Sequence, residues 1–144
     1  MIPNVVVVLD SNAMLSALKS STGASFEVIR RLRSGAFTPP VTAPLVFEYQ
    51  DVLSRRALLP HLGQADIEGF IDWFVSLSSL HKVHFLWRPL LSDPKDDMVL
   101  EAAMASAADH LVTYNLSDFR PAAKLGLSVL TPAGLLSKLP PSPP

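Results

Sequence analysis

Five consecutive apolar residues, Val5-Val6-Val7-Val8-Leu9, run without a break into Asp10. Four β-branched side chains in a row disfavour a helix and leave no polar face for solvent. The segment therefore reads as a strand buried on both faces, as in the centre of a parallel sheet. It is too short to span a bilayer, and the residues ahead of it carry no positive charge, unlike a secretory leader. An aspartate directly after such a strand projects from its carboxyl end, where open parallel sheets bind their ligands. Taken alone, Asp10 is equally a turn or capping residue, with Ser11 and Asn12 continuing the turn.

The rest of the chain alternates helical and extended patterns. Ala13 to Leu18 is helix-compatible, Ser20-Ser21-Thr22-Gly23 interrupts it, and Phe26 to Arg33 resumes a helical pattern ending near Ser34-Gly35. Phe37 to Thr42 predicts a short outer strand. Thr42 then caps a helix with Pro44 in its first turn, running to about Arg56 with Leu45, Tyr49, Val52 and Leu53 on one stripe. A helix over Ala65 to Leu77 buries Ile67, Phe70, Ile71 and Phe74. Val83, Phe85 and Trp87 alternate like a strand. Asp93-Pro94 opens a helix that turns Leu100, Ala103, Met104 and Ala107 inward and Glu101 elsewhere. His110 to Thr113 and Leu127 to Leu130 read as strands, and Pro132 to Leu139 as a terminal helix. Strands separated by helices predict an α/β fold, a three-layer α/β/α sandwich around a mostly parallel sheet.

The chain's 144 residues fit one domain, expected over residues 1–139, with the proline-rich stretch 140–144 as an extended tail. With 49% hydrophobic and 17% charged residues it has material for a core. The absence of cysteine excludes disulfides and thiolate metal sites and suits the reducing cytoplasm. A net charge of −1 argues against a DNA-wrapping protein but not against an enzyme that grips a few nucleotides through metal ions.

The informative residues are acids placed where a fold prefers apolar or neutral groups. Besides Asp10, Asp97 shares a helical face with Leu100, Met104 and Ala107, which favours a functional carboxylate. Asp93 and Asp96 are better read as acids complementing the helix dipole. Glu48 stands about one helical step from the stripe of its helix, and alone reads as a solvated residue. Asn115 and Asp118 follow the His110 to Thr113 strand, where they serve either a site or an ordinary turn. If these groups converge, the carboxylates repel unless something positive sits among them. Oxygen donors without Cys or a His partner favour Mg²⁺ or Mn²⁺ over Zn²⁺, and a carboxylate-held metal pair suits phosphodiester hydrolysis.

Leu9-Asp10-Ser11-Asn12, then Glu48 in a helix, then Asp93-Pro94-Lys95-Asp96-Asp97, then Leu111-Val112-Thr113-Tyr114-Asn115 resembles the PIN-domain family. More closely, it is similar to the VapC-like toxins of bacterial and archaeal toxin–antitoxin pairs. The likeness runs from Val5 to about Leu136 and rests on the order and spacing of the motifs. It implies a ribonuclease that binds Mg²⁺ or Mn²⁺, cuts RNA and is restrained by a small antitoxin. Carried over by position, Asp10, Glu48 and Asp97 are the metal-binding, catalytic acids, and Asn12 and Thr113 are supporting polar residues. Asn115 stands where the family often has a fourth acid. It brings no charge, so Asp118 substitutes or a second metal binds weakly.

The RNA-binding residues are not identified by the resemblance. Arg30, Arg31, Arg33, Arg55 and Arg56 are candidate cations, although each also reads as a solvated helix residue. His61, His81, His84 and His110 have no metal-ligand spacing, and Trp73, Phe74 and Trp87 read as core. Ser11 and Ser117 lack a nucleophile-elbow pattern, and there is no glycine-rich phosphate loop. The alternative from another class is a catalytically weak module that binds RNA or a protein. The apolar stripes of Glu48 to Arg56 and Ala65 to Leu77 also suit a homodimer face or an antitoxin.

Overall fold

The computed structural model describes residues 5–55, 57–83 and 94–141. Strand β1 (Val7–Leu9) leads into helix α1 (Ser11–Lys19), α2 (Ala24–Arg33), β2 (Pro40–Val41), α3 (Ala43–Leu53), α4 (Gln64–Ser76), β3 (Ser79–Leu80), α5 (Pro94–Ser106) and β4 (His110–Val112). A 3₁₀ turn at Leu116–Phe119 precedes α6 (Arg120–Ala123), β5 (Ser128–Leu130) and α7 (Pro132–Leu136).

Every strand pairing among the described residues is parallel. β4 lies between β1 and β5, with Leu9 opposite Val112 and Val112 opposite Leu130. β2 pairs with β3, and a parallel bridge between Val6 and Thr38 joins this pair to the open side of β1. The strand order is thus β5, β4, β1, β2, β3, with helices on both faces in an α/β/α sandwich. α5 packs on β1, β2 and β4, and α7 on β4 and β5.

Val7, Val8, Leu9, Leu111 and Val112 are all 0–1% exposed, as the unbroken apolar run requires. Above them Leu45, Tyr49 and Leu53 of α3 are fully buried, and the Tyr49 ring meets Phe74 of α4 edge-on at 5.6 Å. Each such large apolar side chain contributes about 1.5–3 kcal/mol by leaving water.

Strand β3 and helix α5 depart most from the sequence expectation. The strand beside β2 is Ser79–Leu80, held by Ser79 N–H to Pro39 O and His81 N–H to Val41 O, each 2.9 Å. It shows no alternation because backbone pairing alone defines it. Val83 lies outside any strand, and residues 85 and 87 lie outside the described residues. Helix α5 ends at Ser106, and Ala107 takes φ +52° and is exposed rather than inward. Glu101, expected to point away, is buried at 1% exposure. The expected cap Asp93 lies outside the described residues.

Candidate active site

The register of β1, β4 and β5 sets Asp10, Thr113 and Thr131 side by side, one residue past the sheet. Asp10 N–H donates to Val112 O and Thr113 N–H to Leu130 O, each at 2.9 Å, so the ladder continues one step into the site. The Asp10 side chain is 5% exposed and Thr113 is fully buried.

Both Asp10 oxygens are held. Oδ1 accepts from Ser11 N–H at 2.8 Å as the N-cap of α1, and Oδ2 accepts from the Thr113 hydroxyl at 2.8 Å. The Thr113 oxygen in turn accepts from Asn12 Nδ2 at 3.3 Å and from the Asn115 N–H at 3.0 Å. One donor and two acceptors use its full capacity. Asn12 closes the ring by accepting the Tyr114 N–H at 3.3 Å. Underneath, the buried Tyr49 hydroxyl donates to Leu9 O. Burial pushes that phenol's pKa well up, and the charge of Asp10 pushes it further, so Tyr49 stays a neutral donor.

Glu48 reaches the same place from α3, where Thr42 caps the helix by accepting from Leu45 N–H at 3.3 Å and Pro44 occupies the first turn. It is only 8% exposed, so the solvated reading of this residue does not hold. Desolvation raises its pKa. The charge of Lys95 opposes the rise, Asp51 adds to it, Arg55 opposes it, and Asp10 adds to it.

These groups share a cleft of about 310 Å³ lined by Asp10, Ser11, Asn12, Glu48, Lys95, Asp96, Arg55 and Asn115, with Leu15, Val52 and Leu58 as its apolar wall. Asp97 and Glu101, one helical turn apart on α5, are each 1% exposed and do not line it. Asp96, assigned from sequence to the helix dipole, does. Asp118 lies exposed in the 3₁₀ turn, outside the lining.

The donor set suits a hard cation, since the lining offers carboxylate, amide and hydroxyl oxygens with no thiolate or imidazole. A bound cation would offset the burial of the Glu48 carboxylate first and its smaller repulsion by Asp10 second. Among the described residues, however, no group of three or more His, Asp or Glu side chains stands close enough to cage an ion. The arrangement is an open cleft with three acids spread over its lining, Asp10, Glu48 and Asp96, not a closed cage.

The candidate cations divide. Arg30 and Arg31 pair with Glu27 on their own helix, at 2.8 and 3.1 Å, and Arg31 also donates to Pro140 O at 2.6 Å. Arg55 pairs with Asp51 at 2.8 Å yet lines the cleft. Arg33 is exposed away from the cleft, in an apolar groove with Phe70 and Trp73, and Arg56 lies outside the described residues. Lys95 is the cleft cation that sequence reasoning overlooked. Its signal was its place inside Asp93-Pro94-Lys95-Asp96-Asp97, where a cation among acids offsets their repulsion.

A sequence model of the family described as PIN domain matches residues 6–117, most of the chain and all of the strands and helices that build the cleft. Comparison with curated proteins returns no match. Among solved structures, the fold is similar to a chain in the crystal structure of VapBC2 from Rickettsia felis bound to a DNA fragment from their promoter. The two share 16% identity at a TM-score of 0.58, over 86% of this chain and 96% of that chain. At that identity the likeness is one of fold.

Proposed function

Because the chain belongs to the PIN-domain family, we propose that it is a metal-dependent endoribonuclease, the toxin component of a toxin–antitoxin pair, acting in the cytoplasm on RNA phosphodiester bonds. The observation that carries this reading is Asp10: a buried carboxylate at the carboxyl end of the central strand, fixed by two hydrogen bonds and facing a cleft shared with Glu48. The fold likeness to a chain of the VapBC2 assembly is in keeping with a protein partner for this chain. No helix among the described residues is long and apolar enough to cross a membrane.

Asp10 and Glu48 would hold Mg²⁺ or Mn²⁺ with Asn115 on the same lining, while Asp97, buried on α5, and Asp118, exposed in the 3₁₀ turn, stand off that lining and would act on the ion from outside it. Such an ion, when bound, supplies the Lewis acidity that activates water and offsets phosphate charge. The chain's own residues do the positioning. The hydrogen bonds from Ser11 and Thr113 fix the Asp10 carboxylate in one orientation, and Asn12 and Asn115 hold Thr113 in turn. Lys95 and Arg55, whose charges reach Glu48, give the cleft positive groups for a phosphate. In hydrolysis a water oxygen bonds to phosphorus, the bond to the leaving ribose oxygen breaks, and that oxygen takes up a proton.

The test is incubation of purified protein, free of any partner, with labelled single-stranded and hairpin RNAs plus Mg²⁺ or Mn²⁺. Cleavage that is abolished by EDTA and by Asp10→Asn is the expected result; cleavage that survives either control overturns the assignment. The second reading, a catalytically weak RNA- or protein-binding module, is favoured by the neutral Asn115 and the lack of a basic surplus. A chain that is neither stabilised by Mn²⁺ nor active across the RNA panel would support it.

A further inference from the structure

Tyr114 lies between two residues of the network, Thr113 and Asn115, yet its own side chain takes no part in it. The side chain is 45% exposed and stands apart from the hydrophobic core. Its hydroxyl is nevertheless fixed, 2.6 Å from Ser25 Oγ and 3.4 Å from Ser16 Oγ, and Ser25 on α2 is 2% exposed. At the other end its backbone N–H is held by Asn12. Asn12 and Ser16 are four residues apart on α1, so the ring runs along a helix face that begins at the cleft lining. Leu116, two residues further on, is likewise an exposed apolar side chain, at 44%.

A ring pinned at both ends with nearly half its surface open has little rotamer freedom left to lose on binding. Anchoring α1 to α2 would by itself need only the hydroxyl bonds and gives no reason to leave the ring open to water. The charges point the same way: the chain is net −1, and Arg30 and Arg31 are engaged with Glu27. Beyond Lys95 and Arg55 in the cleft, affinity for a nucleic acid must then draw on stacking. Base stacking on an aromatic ring requires a base that is unpaired.

We propose that Tyr114 is a stacking platform for an unpaired base next to the phosphate seated in the cleft. This rests on the nuclease reading above, and it adds a residue and a specificity that the acids do not provide.

The test uses a fluorescein-labelled 12-nucleotide single-stranded RNA of mixed sequence, with binding read by anisotropy in an Asp97→Asn background and cleavage kinetics in the otherwise native chain. Tyr114→Ala should weaken binding and raise KM by about 10-fold, the scale of losing one base–aromatic stack, with kcat little changed. Tyr114→Phe, which keeps the ring and loses only the hydroxyl that pins it, should fall between the native chain and Tyr114→Ala. An abasic residue moved along the RNA should cost a similar factor at one position, and no further loss should appear there in Tyr114→Ala. Equal losses for Phe and Ala, or a fall in kcat at constant KM, would mean a structural strut and overturn the proposal. So would an abasic scan with no sensitive position, a result that needs no variant of Tyr114 to fold. RNA bound and cut with no loss in Tyr114→Ala defeats the platform alone. RNA neither bound nor cut by the native chain defeats the nuclease reading, and the platform with it.

Discussion

Three of the strands end in a residue that caps the next helix, and the three caps are not alike. After β2, Thr42 accepts from Leu45 N–H at 3.3 Å, and after β5, Thr131 accepts from Gly134 N–H at 3.1 Å. After β1 the cap is Asp10, which accepts from the neighbouring Ser11 N–H and turns its second oxygen to Thr113. A threonine cap satisfies a helix terminus with a neutral group. An aspartate that is 5% exposed does the same work at the cost of a buried charge, beside a second buried acid that it repels. Capping explains Thr42 and Thr131 completely and Asp10 only in part, and the remainder is the argument for chemistry at the β1 end.

The comparison breaks most readily on activity. Asp10→Asn keeps an oxygen for the cap and removes the charge, so RNA cleavage should fall on the order of 10³-fold, the scale of losing one charge-stabilising group at a reacting centre. Loss of less than tenfold would make Asp10 a cap like the others. Thr113→Val removes the hydroxyl that Asp10, Asn12 and Asn115 share, and cleavage should drop by about 10–100-fold, as when a residue orienting a ligand is lost. Thr113→Ser should restore most of it. Thr42→Ala, by contrast, should cost about 1 kcal/mol of stability in a denaturant melt and leave cleavage per folded molecule unchanged.

The smallest effect is at Glu48. Burial raises its folded pKa above the ordinary 4.5, so the fold favours the neutral carboxyl. That preference is fully present below pH 4.5 and is lost as pH rises through the raised folded value. Glu48→Gln should therefore melt higher than the native chain at pH 7 without metal, with the gap closing by pH 4. A lower melting temperature at pH 7 would show that Glu48 is held by a favourable partner rather than strained.

Much of this was legible in the sequence where one local rule dominated. The run from Val5 to Leu9 could only be an interior strand, and its abrupt end located Asp10. Thr42 with Pro44 marked the start of α3 because capping and the fixed proline φ act within one turn. Glu101 was not legible. Asp97, Val99, Leu100, Glu101, Ala102 and Ala103 are all buried, because α5 is packed against the sheet and against α3 at once. A helix covered on more than one side has no single apolar stripe, so reading one face as the inside sent Glu101 to the wrong side. Glu48 was judged too solvated for the same kind of reason. Its stripe does not record that the cleft wall, built from α1 and α5, closes over it.

The most direct test of the central claim is the effect of Mn²⁺ on the melting temperature of the native chain and of Asp10→Ser, a substitution that retains a capping oxygen and removes the carboxylate. Cap and charge are thereby separated. At a metal concentration 100 times Kd the native chain should gain about 2.7 kcal/mol, while Asp10→Ser melts near the metal-free native chain and does not respond. A native chain indifferent to Mn²⁺, or a serine variant stabilised equally, would contradict the account.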